Sequence, residues 1–400
     1  MAATLPTILQ IIPSLDTGGA ELSTVEIAAA TVAAGGRALV ATQGGRLSAR
    51  VIEAGGEIVP FPAATKNPAR MMANARALAA LVRREHVDLI HARSRAPAWS
   101  ALSAARATKR PFITTYHGAY AETGPLKRAY NSVMARGDVV IANSAYTAGL
   151  IMSRYGTPEA RIRVIHRGVD PHVFDPALIG AERVAKLRAD WGIAPGQTLI
   201  LHAARLTRWK GQTVVLDALT QLTNQPDWVC VFAGDDQGRT DYTNELRGQI
   251  AHAGLGDRVR LAGHVDDMPA AFGLAAVSLI ASTEPEAFGR TAIEAQMMGC
   301  PVIATNIGAP PETVLSPPGG PAGERTGWLV APGDAVALAE AMASAITLPA
   351  DQRLALTRRA RTRATGHFSL HAMQRATLAV YDEVLGTQFA NTFELRHYPP

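Results

Sequence analysis

Glu284-Pro285-Glu286-Ala287-Phe288-Gly289-Arg290-Thr291-Ala292-Ile293-Glu294-Ala295-Gln296-Met297-Met298 is the stretch whose reading decides the fold. An apolar run over 275–281 precedes it and reads as a buried strand that stops at Ser282 and Thr283. Pro285 disfavours helix for the residue before it, whereas 287–298 is rich in helix formers and ends at Gly299 and Pro301. The order is strand, short acidic loop, helix start. Free backbone N–H groups and the positive end of the helix dipole make such a junction an anion site. Glu286 is expected in the loop, and Glu294, eight positions later, about two turns into the helix, roughly 10 Å along its axis.

A site that takes phosphate at a helix start and hydroxyls at two carboxylates suits a nucleotide sugar. The stretch also resembles the Glu–seven residues–Glu signature of the retaining glycosyltransferases of family 4 (glycosyl transferases group 1), which have the GT-B fold. The resemblance implies that Glu286 holds sugar hydroxyls and Glu294 the ribose hydroxyls. Phe288, Gly289, Arg290 and Thr291 would present N–H groups to sugar and phosphates.

Working outward, short apolar runs alternate with helical stretches along the whole chain, the pattern of βαβ units and parallel sheets. In the first half, strands are expected over 7–12, 37–42, 57–60, 88–91, 111–115, 138–142 and 161–165. The first is followed by Leu15-Asp16-Thr17-Gly18-Gly19-Ala20-Glu21 and an Ala-rich helix. Paired glycines there make either an ordinary tight turn or a close backbone approach to an anion. Neither G-x-G-x-x-G nor G-x-x-x-x-G-K-[ST] occurs. In family 4 a similar Gly-Gly-x-Glu loop approaches the donor diphosphate, and that likeness falls on Gly18, Gly19 and Glu21. His117, in Thr114-Thr115-Tyr116-His117-Gly118, follows a strand end, where open α/β sheets bind ligands. Imidazole also suits proton exchange near neutrality, although a lone histidine is more often structural. The resemblance implies contact with the donor sugar.

Asn143-Ser144 with Thr147 is a helix-capping segment similar to one in the family. His166-Arg167-Gly168-Val169-Asp170 resembles the family's Asn-Gly-Val-Asp linker, with His166-Arg167 as a departure from it.

The second half restarts with a strand over 198–203 and then Ala204-Arg205-Leu206-Thr207-Arg208-Trp209-Lys210-Gly211. Arg205 and Lys210 leave a strand end and a helix start, the place for a pyrophosphate. Two cations there offset the charge that a leaving nucleoside diphosphate gains, as a metal does elsewhere. No Asp-x-Asp triplet is present, which disfavours the metal-dependent GT-A design. Further strands are expected over 228–233 and 258–262, and by resemblance the backbone at Val265 meets the nucleobase. The pairs Asp235-Asp236 and Asp266-Asp267 read as loop and helix-capping acids rather than metal ligands. Terminal helices are expected over 335–346, 351–366 and 370–385, with 316–323 a surface loop and 387–400 a loose tail.

Composition bounds the rest. A 400-residue chain, 48% hydrophobic and 18% charged, is ordinary for globular domains. No apolar run is long enough to span a membrane, and the first apolar segment lacks the flanks of a signal peptide. Cys230 and Cys300 lack metal-type spacing and read as free thiols of a reducing cytoplasm. Residues 1–170 hold 20 Lys+Arg against 11 Asp+Glu, and the remainder 19 against 23, so the first half is basic and the second mildly acidic. Without an aromatic stacking series or zinc-finger cysteines, nucleic acid is not the expected partner. A lipid-linked acceptor at an anionic membrane fits a basic half better. The basic amphipathic stretches 67–85 and 125–136 are expected to pack their apolar stripes on the sheet and keep the cations wet, with electrostatic membrane docking as a second use.

The expected architecture is α/β, two Rossmann-like domains facing a cleft. An acceptor-binding domain spans 1–175, a nucleotide-sugar-binding domain 176–370, and 371–400 holds a helix returning to the first domain plus tail. The expected activity is metal-independent, retaining transfer of a sugar from a nucleotide-diphosphate sugar, a substrate rather than a cofactor. The acceptor would be a hydroxyl of a glycan or lipid-linked molecule in polysaccharide or lipopolysaccharide synthesis, on the cytoplasmic face of a membrane. The competing readings are a nucleotide-sugar epimerase or phosphorylase of the same fold and a non-catalytic sugar-nucleotide-binding protein.

Overall fold

Apolar runs of three to six residues form parallel strands because helices cover both faces of each sheet. The central strands are buried except at end residues, whereas edge strands such as Glu57–Pro60, Ile162–Val164 and Val259–Gly263 carry half-buried or exposed positions. A computed structural model describes residues 6–16, 18–120, 122–222, 227–317 and 322–397. The chain divides into two units, one of Met1–Gly168 with Leu370–Pro400, the other of Val169–Ser369. The change at Gly168 falls before the sequence-read boundary at 175, where Val169 already donates its N–H to the Phe368 carbonyl at 2.9 Å.

The first unit holds β1 (Thr7–Ile11), β2 (Arg37–Thr42), β3 (Glu57–Pro60), β4 (Leu89–Ala92), β5 (Phe112–Tyr116), β6 (Val139–Ala142) and β7 (Ile162–Val164) in the order β3-β2-β1-β4-β5-β6-β7. The second holds β8 (Thr198–Ala203), β9 (Trp228–Ala233), β10 (Val259–Gly263), β11 (Val277–Ile280), β12 (Val302–Thr305) and β13 (Trp328–Val330) in the order β10-β9-β8-β11-β12-β13. Each order reverses once, between β1 and β4 and between β8 and β11. A reversal opens a crevice at the carboxyl ends of the two strands, which is where such sheets bind ligands. The glycine pair follows β1, the Arg205–Lys210 segment follows β8, and Glu286 follows β11.

Three expectations need correction. The decisive helix runs Arg290–Met297 rather than from Ala287, because Phe288 is buried and Gly289 takes a left-handed φ of 79°. Glu294 is therefore little more than one turn inside it. The stretch from Pro125 is a helix only to Asn131 and tightens into a 3-10 turn over Ser132–Ala135. The tail is not loose over Phe389–His397, which is a helix whose Phe389 and Phe393 are buried where it packs against the helices Gly19–Ala33 and Leu370–Leu385. Thr17, residues 318–321 of the loop and 398–400 of the tail lie outside the described residues. Both cysteines are free and buried, and among the described residues no helix is long and apolar enough to cross a membrane.

Candidate functional site

In the second unit, the reversal between β8 and β11 brings two opposite charges together. Lys210 closes a short 3-10 turn, Arg208–Lys210, and Gly211 follows with φ 76° before the helix Gln212–Leu219. A Cβ on Gly211 would lie 1.9 Å from the Ala281 carbonyl oxygen, so only glycine lets this turn approach the end of β11. The approach is fixed by the Thr283 N–H, which donates to the Trp209 carbonyl at 2.8 Å. Lys210 Nζ then reaches Glu286 Oε1 at 2.6 Å, and Ser282 Oγ donates to the same oxygen. Glu286 is only 8% exposed, which makes this a largely desolvated pair. On its other side, the Ala309 N–H donates to the Glu286 carbonyl at 2.9 Å. A Cβ on Gly308 would sit 2.4 Å from that carbonyl oxygen.

Arg205 stands apart from the pair. Its side chain is exposed and reaches Gln237 Oε1 at 3.4 Å, while buried Gln212 donates Nε2 to its carbonyl at 2.9 Å. The backbone at Arg205 is thus held in place and its guanidinium is left to solvent. Glu294 pairs with Arg290 of its own helix, Oε1 to Nε 2.9 Å. Burial pushes the Glu294 carboxyl up from its ordinary value and the Arg290 charge partly opposes that shift. Gly289 and Thr291 line the same recess as Lys210 and Glu286, whereas the Phe288 ring faces Phe368 in the core and leaves only its backbone for a ligand. Val265 is half-buried against the core. Asp236 accepts from the Gly238 N–H and Thr243 Oγ1, and Asp267 caps the helix Met268–Leu274 while pairing with Arg183. Among the described residues no group of His, Cys, Asp and Glu forms a metal cluster.

His202 is a member of this recess that the sequence reading did not single out. It lies on β8, fully buried, and its Nδ1 donates to the Leu279 carbonyl at 3.0 Å. Nδ1 therefore carries the proton, and Nε2 makes no hydrogen bond among the described residues. Burial holds its pKa down to about 4, partly offset by the Leu279 carbonyl. It is a neutral wall beside Lys210 and Glu286.

In the first unit, Gly18 caps the helix Gly19–Ala33 with no side-chain cap, and the Glu21 carboxylate folds back so that a Cβ on Gly18 would meet Oε2 at 2.4 Å. A Cβ on Gly19 would meet Arg167 Nη1 at 2.1 Å. The Arg167 that departs from the family linker thus occupies the space that glycine leaves. Its Nη2 lies 3.2 Å from both His117 Nδ1 and the His117 carbonyl oxygen. A guanidinium only donates, so Nδ1 accepts and the ring proton is on Nε2. Burial, then Arg93, Arg167 and His91, hold the His117 pKa well below the ordinary imidazole value. The expectation of proton exchange near neutrality is therefore corrected: His117 is a fixed neutral hydrogen-bond donor. Asn143 donates Nδ2 to its carbonyl at 3.3 Å, and the Ser144 capping box holds Asn143 in turn through Thr147.

Comparison with known proteins bears on the family and the fold. A model of Glycosyltransferase Family 4 matches residues 17–173, and one of Glycosyl transferases group 1 matches residues 184–363. The crystal structure of a glycosyltransferase from Rickettsia africae superposes with a TM-score of 0.87 at 34% identity, over 95% of this chain and 99% of that one. HepE from Anabaena, in complex with UDP-glucose, superposes with a TM-score of 0.78 at 27% identity, over 94% of this chain and 99% of that one. The lipopolysaccharide core biosynthesis mannosyltransferase LpsB of Rhizobium meliloti is 29% identical over 255 residues, 63% of this chain and 68% of its own length. Against other curated relatives, such as the D-inositol 3-phosphate glycosyltransferase of Jonesia denitrificans, the match spans less than half of the relative, 42%.

Proposed function

Because the chain belongs to the family 4 and group 1 glycosyltransferases, with the GT-B fold, we propose that it moves a sugar from a nucleotide-diphosphate sugar to an acceptor hydroxyl with the anomeric configuration kept. The observation that carries this reading is the Lys210–Glu286 pair at the reversal of the second sheet. It sets a cation for a phosphate beside a carboxylate for sugar hydroxyls. The start of the helix Arg290–Met297 adds backbone donors, and Glu294 lies one turn along for the ribose. As the bond to the sugar breaks, charge grows on the leaving diphosphate; Lys210 and the exposed Arg205 meet it, with no metal required.

Retention by double displacement needs two carboxylates flanking the ring. Here Glu286 is engaged by Lys210 and Ser282, and Glu294 by Arg290 on the same element. That supports a front-face path, in which the departing phosphate receives the acceptor proton. His117, with its proton on Nε2, suits a hydroxyl of the sugar. The acceptor is a glycan or lipid-linked molecule of cell-envelope synthesis, held by the basic first unit at an anionic membrane surface. The relative described as a lipopolysaccharide core mannosyltransferase supports that setting.

The test is incubation with labelled UDP-glucose and GDP-mannose plus a membrane lipid extract. Label in lipid, with the donor's anomeric configuration by NMR, supports the proposal, and inverted product contradicts retention. Isomerised nucleotide would make the protein an epimerase, and binding without product a sugar-nucleotide-binding protein.

A further inference from the structure

The helix Pro68–Arg84 carries an apolar stripe wider than the core covers. Leu78, Leu81 and Val82 are buried in the core of the first unit, as an amphipathic helix requires. Met71, seven residues before Leu78, extends the same stripe, and Met72, about 100° further round the helix, is 60% exposed. With Ala79 and Trp99 they line a groove of about 840 Å³ between this helix, the helix Arg95–Thr108 and the segment Pro125–Asn131. The size is that of a small-molecule site, about 300–1,000 Å³.

Four cations, Lys66, Arg76, Arg83 and Arg136, border the groove, and no carboxylate lines it. Among the described residues none of the four makes an ion pair. Arg136 instead lies over the Trp99 ring, 5.1 Å from its centroid, and Arg76 Nη2 is 3.8 Å from the Met72 sulfur. Arg136 and Arg76 thus lean on the apolar surface, Arg83 donates to the Ala107 carbonyl at 3.3 Å, and among the described residues no carboxylate neutralises them. A second depression of about 740 Å³ shares Lys66 and Tyr130 with the first. It is bordered by Ser94 and Arg95 just after β4 and by Thr123 and Lys127 beyond β5, and it too has no carboxylate. An apolar trough thus runs into a less apolar, cation-bordered chamber near the carboxyl ends of β4 and β5, the strand that precedes His117.

We infer that this paired groove binds one anionic lipid, with the hydrocarbon chain on Met71, Met72 and Trp99 and the phosphate among the cations. The inference deepens the proposed function, on which it rests for the idea that the lipid is the acceptor. A flexible thioether floor suits a flexible chain, and a border of uncompensated cations selects an anion. A bare membrane surface needs only an exposed basic face, whereas this feature is concave and apolar inside.

The probes are dioctanoyl phosphatidic acid below its micelle concentration, dioctanoyl phosphatidylcholine and inorganic phosphate, titrated into the full chain. Ser103 is exposed at the groove and reaches no core position, so Ser103→Trp fills the trough; Ala107→Trp, also exposed there, is the second plug if the first fails to fold. Arg76→Glu with Arg83→Glu reverses the charge. The expected result is binding of phosphatidic acid, weakened about tenfold or more by a plug and by the charge reversal, with nucleotide binding unchanged. Equal binding of phosphatidylcholine, equal binding by the plugged protein, or inorganic phosphate binding as tightly as the lipid would each overturn it. The readout is binding rather than turnover, so the two readings fail separately. Phosphatidic acid has no free hydroxyl, so transfer is read with the membrane lipid extract: no label in lipid from a protein that binds phosphatidic acid sinks the transferase reading, and transfer to lipid by a plugged protein sinks the groove.

Discussion

Lys210 carries two burdens, and they separate experimentally. Lys210→Ala removes a charge that meets the leaving diphosphate, and turnover is expected to fall by roughly 100- to 1,000-fold. It also strands Glu286, 8% exposed, without its partner, which is expected to cost about 3 kcal/mol in denaturant melts. The double variant Lys210→Met with Glu286→Gln should regain most of that stability and none of the turnover. If the double variant is as unstable as the single one, the pair is not what holds the recess. Arg205 behaves differently because its guanidinium is exposed and reaches only Gln237. Arg205→Ala should leave stability within about 0.5 kcal/mol while lowering turnover about 100-fold; a near-normal rate would remove Arg205 from the site. His202 gives a pH signature. Its folded pKa of about 4 lies below the ordinary 6.5, so the unfolded chain takes up the proton first as pH falls. Stability is thus full above pH 6.5 and declines toward pH 4, by about 3 kcal/mol for this residue; half-buried His117 and buried His91 act in the same direction. Thermal melts of His202→Asn should lose less stability between pH 7 and pH 5 than the parent, and parallel curves would contradict the assignment.

Turns, more than strands, decide whether the charges meet. Gly211→Ala would place a Cβ 1.9 Å from the Ala281 oxygen at φ 76°, and Gly308→Ala one 2.4 Å from the Glu286 oxygen at φ 80°. Each should destabilise by more than about 2 kcal/mol. Gly196→Ala, at φ 84° but facing open space, should cost only about 1 kcal/mol. Similar losses at all three, in chemical melts, would mean that backbone conformation alone matters and the close approaches do not. The same contrast explains what was legible in the chain. Strands such as Arg37–Thr42 and Trp228–Ala233 stand where apolar runs put them, because burial on both faces needs an uninterrupted apolar segment. The start of the Arg290–Met297 helix was misread because Gly289 takes the left-handed conformation, which helix propensity does not register. His202 was hidden inside an apolar strand, where one polar residue has no pattern of its own. The role of Arg167 depends on a contact with Gly19 across most of the first unit's sequence, and no local rule reaches that far. The terminal helix carries Phe389 and Phe393 at a four-residue spacing, but between polar neighbours and over too few residues for a periodicity to emerge.

At the scale of the whole chain, the two units repeat one solution, a parallel sheet whose order reverses once, and fill it with opposite chemistry. Around the first reversal stand neutral His117 and the glycine pair, in the unit that carries the basic groove. The second holds the buried ion pair and the helix that starts at Arg290. The account depends on that second reversal gripping a nucleoside diphosphate. Isothermal titration of UDP, GDP and ADP into the parent, Lys210→Met and Glu294→Ala tests it most directly. The parent should bind one nucleotide preferentially, with affinity reduced about tenfold or more in either variant. Unchanged affinity in both variants, with the fold intact, would contradict the claim.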